Sequence, residues 1–199
     1  MILKHIKIFF QNICKNNFVI NTILETCNSY DIIFIQELFW SFICSIPSSV
    51  NKKGEELVGV PNHPNWITFS RNPVHVGDSS RVITYINIRL SSLHFSLWKD
   101  IFNHRNISCI FFFNHGLVYF LINIYSDSSQ LALKYLKDTE VNIGSVLIMT
   151  GDFNIKDSIW DPDFPYHLLH SNILSTVADS LHWELSKPTE HFPTRYSDN

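Results

Sequence analysis

At 199 residues, with 45% hydrophobic and 17% charged residues, the chain has the composition of one packed domain and excludes a disordered protein. A net charge of −3 gives no bulk electrostatic argument for a nucleic-acid partner, so any DNA contact needs a local patch. Apolar runs such as Leu117 to Ile122 are too short to cross a bilayer, which points to a soluble, intracellular protein. The four cysteines, Cys14, Cys27, Cys44 and Cys109, contain no CxxC pair and are expected to be reduced and mostly buried.

In chain order, Ile2 to Phe10 predicts a strand that runs into Gln11-Asn12. From Asn17, the apolar positions Val19, Ile20, Ile23, Leu24 and Cys27 predict a short amphipathic helix ending near Asn28-Ser29. Asp31 to Ile35 reads as a buried strand ending at Gln36-Glu37. Such a strand-helix-strand opening implies a parallel crossover, which brings Asn12 and Glu37 to one edge of a sheet. A loop-like region with Pro47, Pro61 and Pro64 follows. Strands are then expected at Trp66 to Ser70, Val82 to Ile88, Ile107 to Phe113 and Leu117 to Tyr125, the last two joined by an Asn114-His115-Gly116 hairpin turn. Ser128 to Val141 carries Leu131, Ala132, Tyr135 and Leu136 on one helical face, and Val146 to Met149 is a further buried strand. A second amphipathic helix is marked by Leu169, Ile173, Val177, Ala178 and Leu181, with a weak strand at Thr194 to Ser197. Strands alternating with two or three helices predict a layered α/β sandwich with mixed sheets, in a single domain spanning residues 1–199.

Chemistry gathers at strand ends. Gly151-Asp152-Phe153-Asn154 follows a hydrophobic strand, and residues two apart in extended chain point the same way, so Asp152 and Asn154 would share one space. Gly151 would permit the tight exit. Gln11-Asn12, Gln36-Glu37 and Asn123-Ile124-Tyr125 end other predicted strands. A local basic patch is offered by Arg81, Arg89, Lys99 and Arg105 with His94 and His104 between them; an ordinary solvated face explains the same residues.

This ordered series resembles the motifs of the endonuclease/exonuclease/phosphatase superfamily, along the whole chain. The stretch from Asp152 through Trp160, and Pro193-Thr194, are more similar to the endonuclease domains of non-LTR retrotransposons than to other branches. The resemblance implies a DNase I-like fold of two mixed sheets flanked by helices. It also implies a metal-dependent nuclease that nicks target DNA so that the nicked end primes reverse transcription, with DNA as partner, a nuclear location and no membrane. A reverse transcriptase domain is expected in the parent polyprotein. Glu37 would bind the metal, with magnesium as the ion, and Asn12 would support the metal or the adjoining phosphate. Asp152 would orient or deprotonate the attacking water, Asn154 would donate to the phosphate, Tyr125 would sit against it, and Thr194 would lie near the DNA backbone. Plainer readings stand beside these: a surface carboxylate for Glu37, a turn residue for Asn12 and a packed aromatic for Tyr125.

Two departures bear on activity. Many family members carry an acid where this chain has Cys14. The family also closes its site with a late strand-borne Asp and a Ser-Asp-His triplet, neither of which is found. Ser197-Asp198-Asn199 stands too close to Thr194 to be that triplet, and His167 and His170 read as surface or capping residues. The chain is therefore expected to lack the last strands and to be inactive by itself. Two alternatives follow: a non-catalytic remnant that at most binds DNA or a partner, and a phosphoesterase of another branch acting on lipid or inositol phosphates.

Overall fold

The computed structural model describes residues 5–38, 44–47, 55–71, 80–98, 103–139 and 146–155. The chain divides into two units, Met1–Asn154 and Ile155–Asn199, and every element below belongs to the first.

Strand β1, Ile8–Asn12, helix α1, Phe18–Thr26, and strand β2, Ile32–Gln36, form the expected crossover. β1 and β2 pair in parallel, with Asn12 opposite Gln36. Two short strands, β3 (Cys44–Pro47) and β4 (Glu55–Val58), pair antiparallel as a separate ribbon. Next come β5 (Trp66–Phe69), β6 (Val82–Asn87), a 3-10 turn at Ile88–Leu93 and the two-residue β7, Ser96–Leu97. β8 (Ile107–Asn114) and β9 (Leu117–Tyr125) form a hairpin, α2 spans Leu131–Asp138 and β10 spans Val146–Asp152.

Two four-stranded sheets result, ordered β1-β2-β6-β5 and β10-β9-β8-β7. Each contains one parallel pair, β1 with β2 and β10 with β9, followed by antiparallel neighbours. The expected α/β sandwich of two mixed sheets is the observed architecture.

Alternation along β2 explains how the layers meet. Ile33 and Ile35 pack on one side with Ile20, Ile23 and Leu24 of α1. Ile32 and Phe34 point the other way, against Ile110, Phe112 and Leu121 of the second sheet. A strand buried on both faces needs an unbroken apolar run, which is why Ile-Ile-Phe-Ile carries no polar residue. Each such side chain contributes about 1.5–3 kcal/mol relative to an exposed position. Trp66 anchors α1 as well, donating from Nε1 to the Leu24 carbonyl at 2.9 Å.

The β8-β9 turn is the tight one that the sequence predicts. His115 and Gly116 both have positive φ, 50° and 78°, the combination that matches the twist of a two-residue hairpin.

Several expectations need correction. The loop-like region holds β3 and β4, whose sequences CSIP and EELV lack the aromatic and β-branched run that marks the equally short β5. His5 to Lys7 are not strand, so β1 starts at Ile8. On α2 the buried residues are Ala132, Leu133 and Leu136, while Leu131 is 54% exposed. Cys109 is buried, Cys27 half-buried and Cys14 exposed, so the cysteines are not mostly buried among those described, and these three are free thiols. The late helix around Leu169 to Leu181 and the strand at Thr194 lie outside the described residues. Among the described residues, no helix is long and apolar enough to cross a membrane.

Candidate active site

The pairing registers bring six strand termini to one edge. β1, β2, β9 and β10 end there, while the antiparallel β6 and β8 begin there: Asn12 faces Gln36, Gln36 faces Val82, Asp152 faces Tyr125 and Ile107 faces Ile124. Parallel crossovers and antiparallel returns thus deliver polar residues from both sheets to one place.

Just inside this edge the sheets are joined by buried amides. Gln36 donates from Nε2 to Asn123 Oδ1 at 2.8 Å, and Asn123 Nδ2 donates to the carbonyls of Ile35 and Ile83 at 3.2 and 2.9 Å. Asn123, on β9, therefore reaches β2 and β6 of the facing sheet. Thr84 and Ser108 make a second cross-sheet contact, hydroxyl to hydroxyl, at 3.3 Å.

At the edge itself, Asn12 crosses between the sheets to Asp152, its Nδ2 donating to Asp152 Oδ2 at 2.5 Å. Its Oδ1 accepts from the Cys14 backbone at 2.8 Å, so Asn12 also shapes a turn. The other Asp152 oxygen accepts from the Asn154 N–H at 2.9 Å. Asn154 turns its side-chain amide onto the Ser126 carbonyl at 2.7 Å, so one of that amide's two N–H bonds is engaged within the loop and one is left for the donation expected of it.

Glu37 stands one residue past β2 with φ of +56°, a left-handed conformation that a non-glycine residue adopts only when its surroundings enforce it. The enforcement is visible: its carbonyl accepts from the Lys15 N–H at 2.8 Å, and its neighbours Gln36 and Leu38 are hydrogen-bonded to Ile13 and Arg81. Cys14, Lys15 and Asn154 share positive φ at the same edge.

Arg81 lies among these groups. Its guanidinium sits 4.3 Å from the centroid of the Tyr125 ring, 3.4 Å from Asp127 and 3.8 Å from Glu37. Burial pushes the Tyr125 phenol above its ordinary value of 10.0; Arg81 opposes that shift by charge and hydrogen bond, while Glu37 and Asp152 reinforce it. The phenol is therefore a protonated donor at neutral pH. The same balance shows that Glu37 and Asp152 both lie within electrostatic reach of one tyrosine.

Asn12, Glu37, Tyr125, Asp152 and Asn154 are thus brought to one edge, while Thr194, His167 and His170 fall outside the described residues. Arg81 and Asp127 are additions. Arg81 stood in the expected basic patch, but that patch is divided: Arg81 precedes β6, whereas Arg89 follows it and is tied by Nη2 to Asp31 at 2.9 Å. Gly151 is required for packing as well as for the expected exit from the strand. A Cβ there would stand 1.9 Å from the Ile124 carbonyl oxygen, so glycine is what lets β10 lie flush on β9.

No protein-family profile matches the chain, and no curated protein sequence does. Solved structures do. The endonuclease domain of TRAS1, a telomere-specific non-LTR retrotransposon, is similar with a TM-score of 0.61 at 14% identity, over 88% of this chain and 72% of that one. The fold is DNase I-like. An endonuclease/exonuclease/phosphatase family protein from Leptotrichia buccalis C-1013-b follows at a TM-score of 0.48, 13% identity, 88% of this chain and 73% of that one. A humanized D. rerio TDP2 has 0.40, 15%, 77% and 64% for the same measures. At 14% identity the likeness speaks for the DNase I-like fold, and the chemistry rests on the residues of this edge.

Proposed function

We propose that this chain carries the site of a metal-dependent DNA endonuclease of the retrotransposon type, at the edge where Asn12, Glu37, Tyr125 and Asp152 meet, with one strand of duplex DNA as what such a site cuts. The observation that carries the reading is the Asn12 to Asp152 hydrogen bond across the sheets, beside Tyr125, the β9 partner of Asp152, which shares the Arg81 guanidinium with Glu37. A phosphodiester between these groups would meet a carboxylate, an amide and a phenol at once.

The donor set fits a hard divalent cation. Three carboxylates, Glu37, Asp127 and Asp152, stand around Tyr125 and Arg81, and one guanidinium leaves two negative charges to be balanced. Among the described residues, no three His, Cys, Asp or Glu side chains form a closed ligand group; magnesium is the ion proposed because it binds through one or two carboxylates and keeps waters and substrate oxygens in its shell. Glu37 would hold it, and the ion would supply positive charge to the phosphoryl and departing oxygens.

The chain's own groups do the rest. Asp152, held by Asn12 and the Asn154 backbone, would orient a water for in-line attack and take its proton. Tyr125, kept protonated by burial, would donate to a phosphate oxygen. Asn154 would donate its remaining N–H to the same phosphate. A DNA substrate implies work in the nucleus, and a reverse transcriptase elsewhere in the polyprotein would use the nicked end.

The reading as a non-catalytic remnant is favoured by Cys14, at the position where many members of the superfamily that the motifs resemble carry an acid. One experiment separates these readings: incubation of the chain with supercoiled plasmid and magnesium, beside Asp152→Ala and beside an inositol phosphate substrate. Nicking that falls on the order of a hundred- to thousandfold in Asp152→Ala supports the nuclease. Magnesium-dependent duplex binding without nicking supports the remnant, and phosphate release from the inositol substrate alone moves the chain to another branch.

A further inference from the structure

Arg81 is bonded in a way that suits neither a structural ion pair nor a free surface charge. Its side chain is 13% exposed, yet its two acidic contacts are long, 3.4 Å to Asp127 and 3.8 Å to Glu37. Compare Arg89, whose Nε and Nη2 both grip Asp31 Oδ1, at 3.0 and 2.9 Å, while Nη1 and Nη2 hold the carbonyls of Asn28 and Ser29 at 3.0 and 3.2 Å. Arg89 is clamped and Arg81 is not. The backbone at Arg81, by contrast, is fixed: its N–H donates to Arg105 O at 2.8 Å and its carbonyl accepts from Leu38 N–H at 3.1 Å. A rigid stem thus carries the guanidinium over the Tyr125 ring, to which it is also hydrogen-bonded, while its pairing with acids stays long, beside the carboxylate that would take the cation.

We propose that Arg81 is a phosphate-binding residue kept in reserve. In the substrate-free site it partly neutralises Glu37 in the cation's stead; when a divalent cation takes Glu37, Arg81 turns to the DNA phosphate and remains attached to Tyr125 and Asp127. This deepens the nuclease reading and rests on it. The physical basis is competition for one carboxylate: two cations cannot both sit on Glu37 at full strength, so each weakens the other's hold. A guanidinium then suits a phosphate better than a long contact to a carboxylate, because its planar fork matches phosphate oxygens.

The test uses the full chain with Mn2+ alone, followed by paramagnetic resonance, and a short DNA duplex in Ca2+. Wild type is compared with Arg81→Ala, Arg81→Lys and Glu37→Gln, with circular dichroism as the check on folding. Arg81→Ala should tighten Mn2+ binding several-fold, and Glu37→Gln should abolish it. Arg81→Ala should also weaken duplex binding about tenfold and make its dependence on salt shallower by about one phosphate contact, with Arg81→Lys recovering part of the loss. Unchanged Mn2+ affinity in a folded Arg81→Ala overturns the competition even if duplex binding persists. Unchanged duplex affinity overturns the phosphate role. Tighter Mn2+ binding in a protein that binds no duplex as wild type retains the Glu37 competition and removes the DNA reading on which the phosphate role depends.

Discussion

Two polar clusters lie within one or two residues of each other on the same strands, and they are built on opposite terms. Gln36 and Asn123 are buried, and Asn123 meets three partners, two of them carbonyls of the facing sheet. Glu37, one residue past β2, lies a long 3.8 Å from Arg81, and Tyr125, two residues beyond Asn123, carries the same guanidinium 4.3 Å from its ring centroid at the rim. The inner cluster is neutral, with both ends of the Asn123 amide engaged and only Gln36 Oε1 left without a partner in it, and it holds the layers in register. The outer cluster is charged and incompletely paired, which is how a site awaiting a cation and a phosphate should look. A polar residue near the end of a strand is thus structural or chemical according to a shift of one residue, because that shift moves it from between the sheets to the rim.

The sharpest challenge to this division is Gly151→Val. With the Ile124 carbonyl 1.9 Å from any added Cβ, β10 has to leave β9, taking Asp152 with it. A loss on the order of 4 kcal/mol is expected, in the range of substitutions with a severe steric mechanism. A chemical melt measures it, and an unchanged midpoint would mean that β10 is not seated as described.

Next in size is a contrast between the clusters. Asn123→Ala strands the Gln36 amide and two carbonyls and should cost about 2–3 kcal/mol. Glu37→Gln, losing only a 3.8 Å contact, should cost under about 1 kcal/mol. Equal losses in the two variants would erase the distinction between clamp and site.

The smallest effect concerns the interior of the second sheet. Burial pushes the Cys109 thiol up from 9.0 to about 12. Since the folded value lies above the unfolded one, the protonated thiol's contribution is complete below pH 9.0 and is lost as pH rises towards about 12. Stability should fall by about 1 kcal/mol by pH 10, and Cys109→Ala should flatten that part of the profile. A pH-independent difference between the two proteins would show that Cys109 meets water.

Much of this was legible in the sequence, and for identifiable reasons. β2, β8 and β9 are apolar runs closed by Gln, Asn or Tyr, so both their existence and the placing of Asn12, Glu37, Tyr125 and Asp152 at strand ends could be read from local pattern. β3, β4 and β7 could not, because CSIP, EELV and SL lack the run of aromatic and β-branched residues, Trp-Ile-Thr-Phe, by which the equally short β5 was read. Arg81 was seen as a charge but not as a neighbour of Glu37. That proximity comes from the antiparallel pairing of β6 with β2, a tertiary fact carried by no local signal. Leu131 misled because it fits the spacing of the buried face of α2, and spacing alone does not say how far the packed neighbour extends.

The bond between Asn12 and Asp152 joins residues 140 positions apart. The parallel pairs β1-β2 and β9-β10 can each close over a short helical connection, but the rim that unites them requires nearly all of Met1–Asn154 to have been synthesised and collapsed. Contacts of such separation form late and slowly, after the entropy of a long loop has been overcome. During synthesis on the ribosome, then, the sheets should gain structure well before the rim does, and the emerging protein should hold most of its framework while its chemistry has yet to come into being.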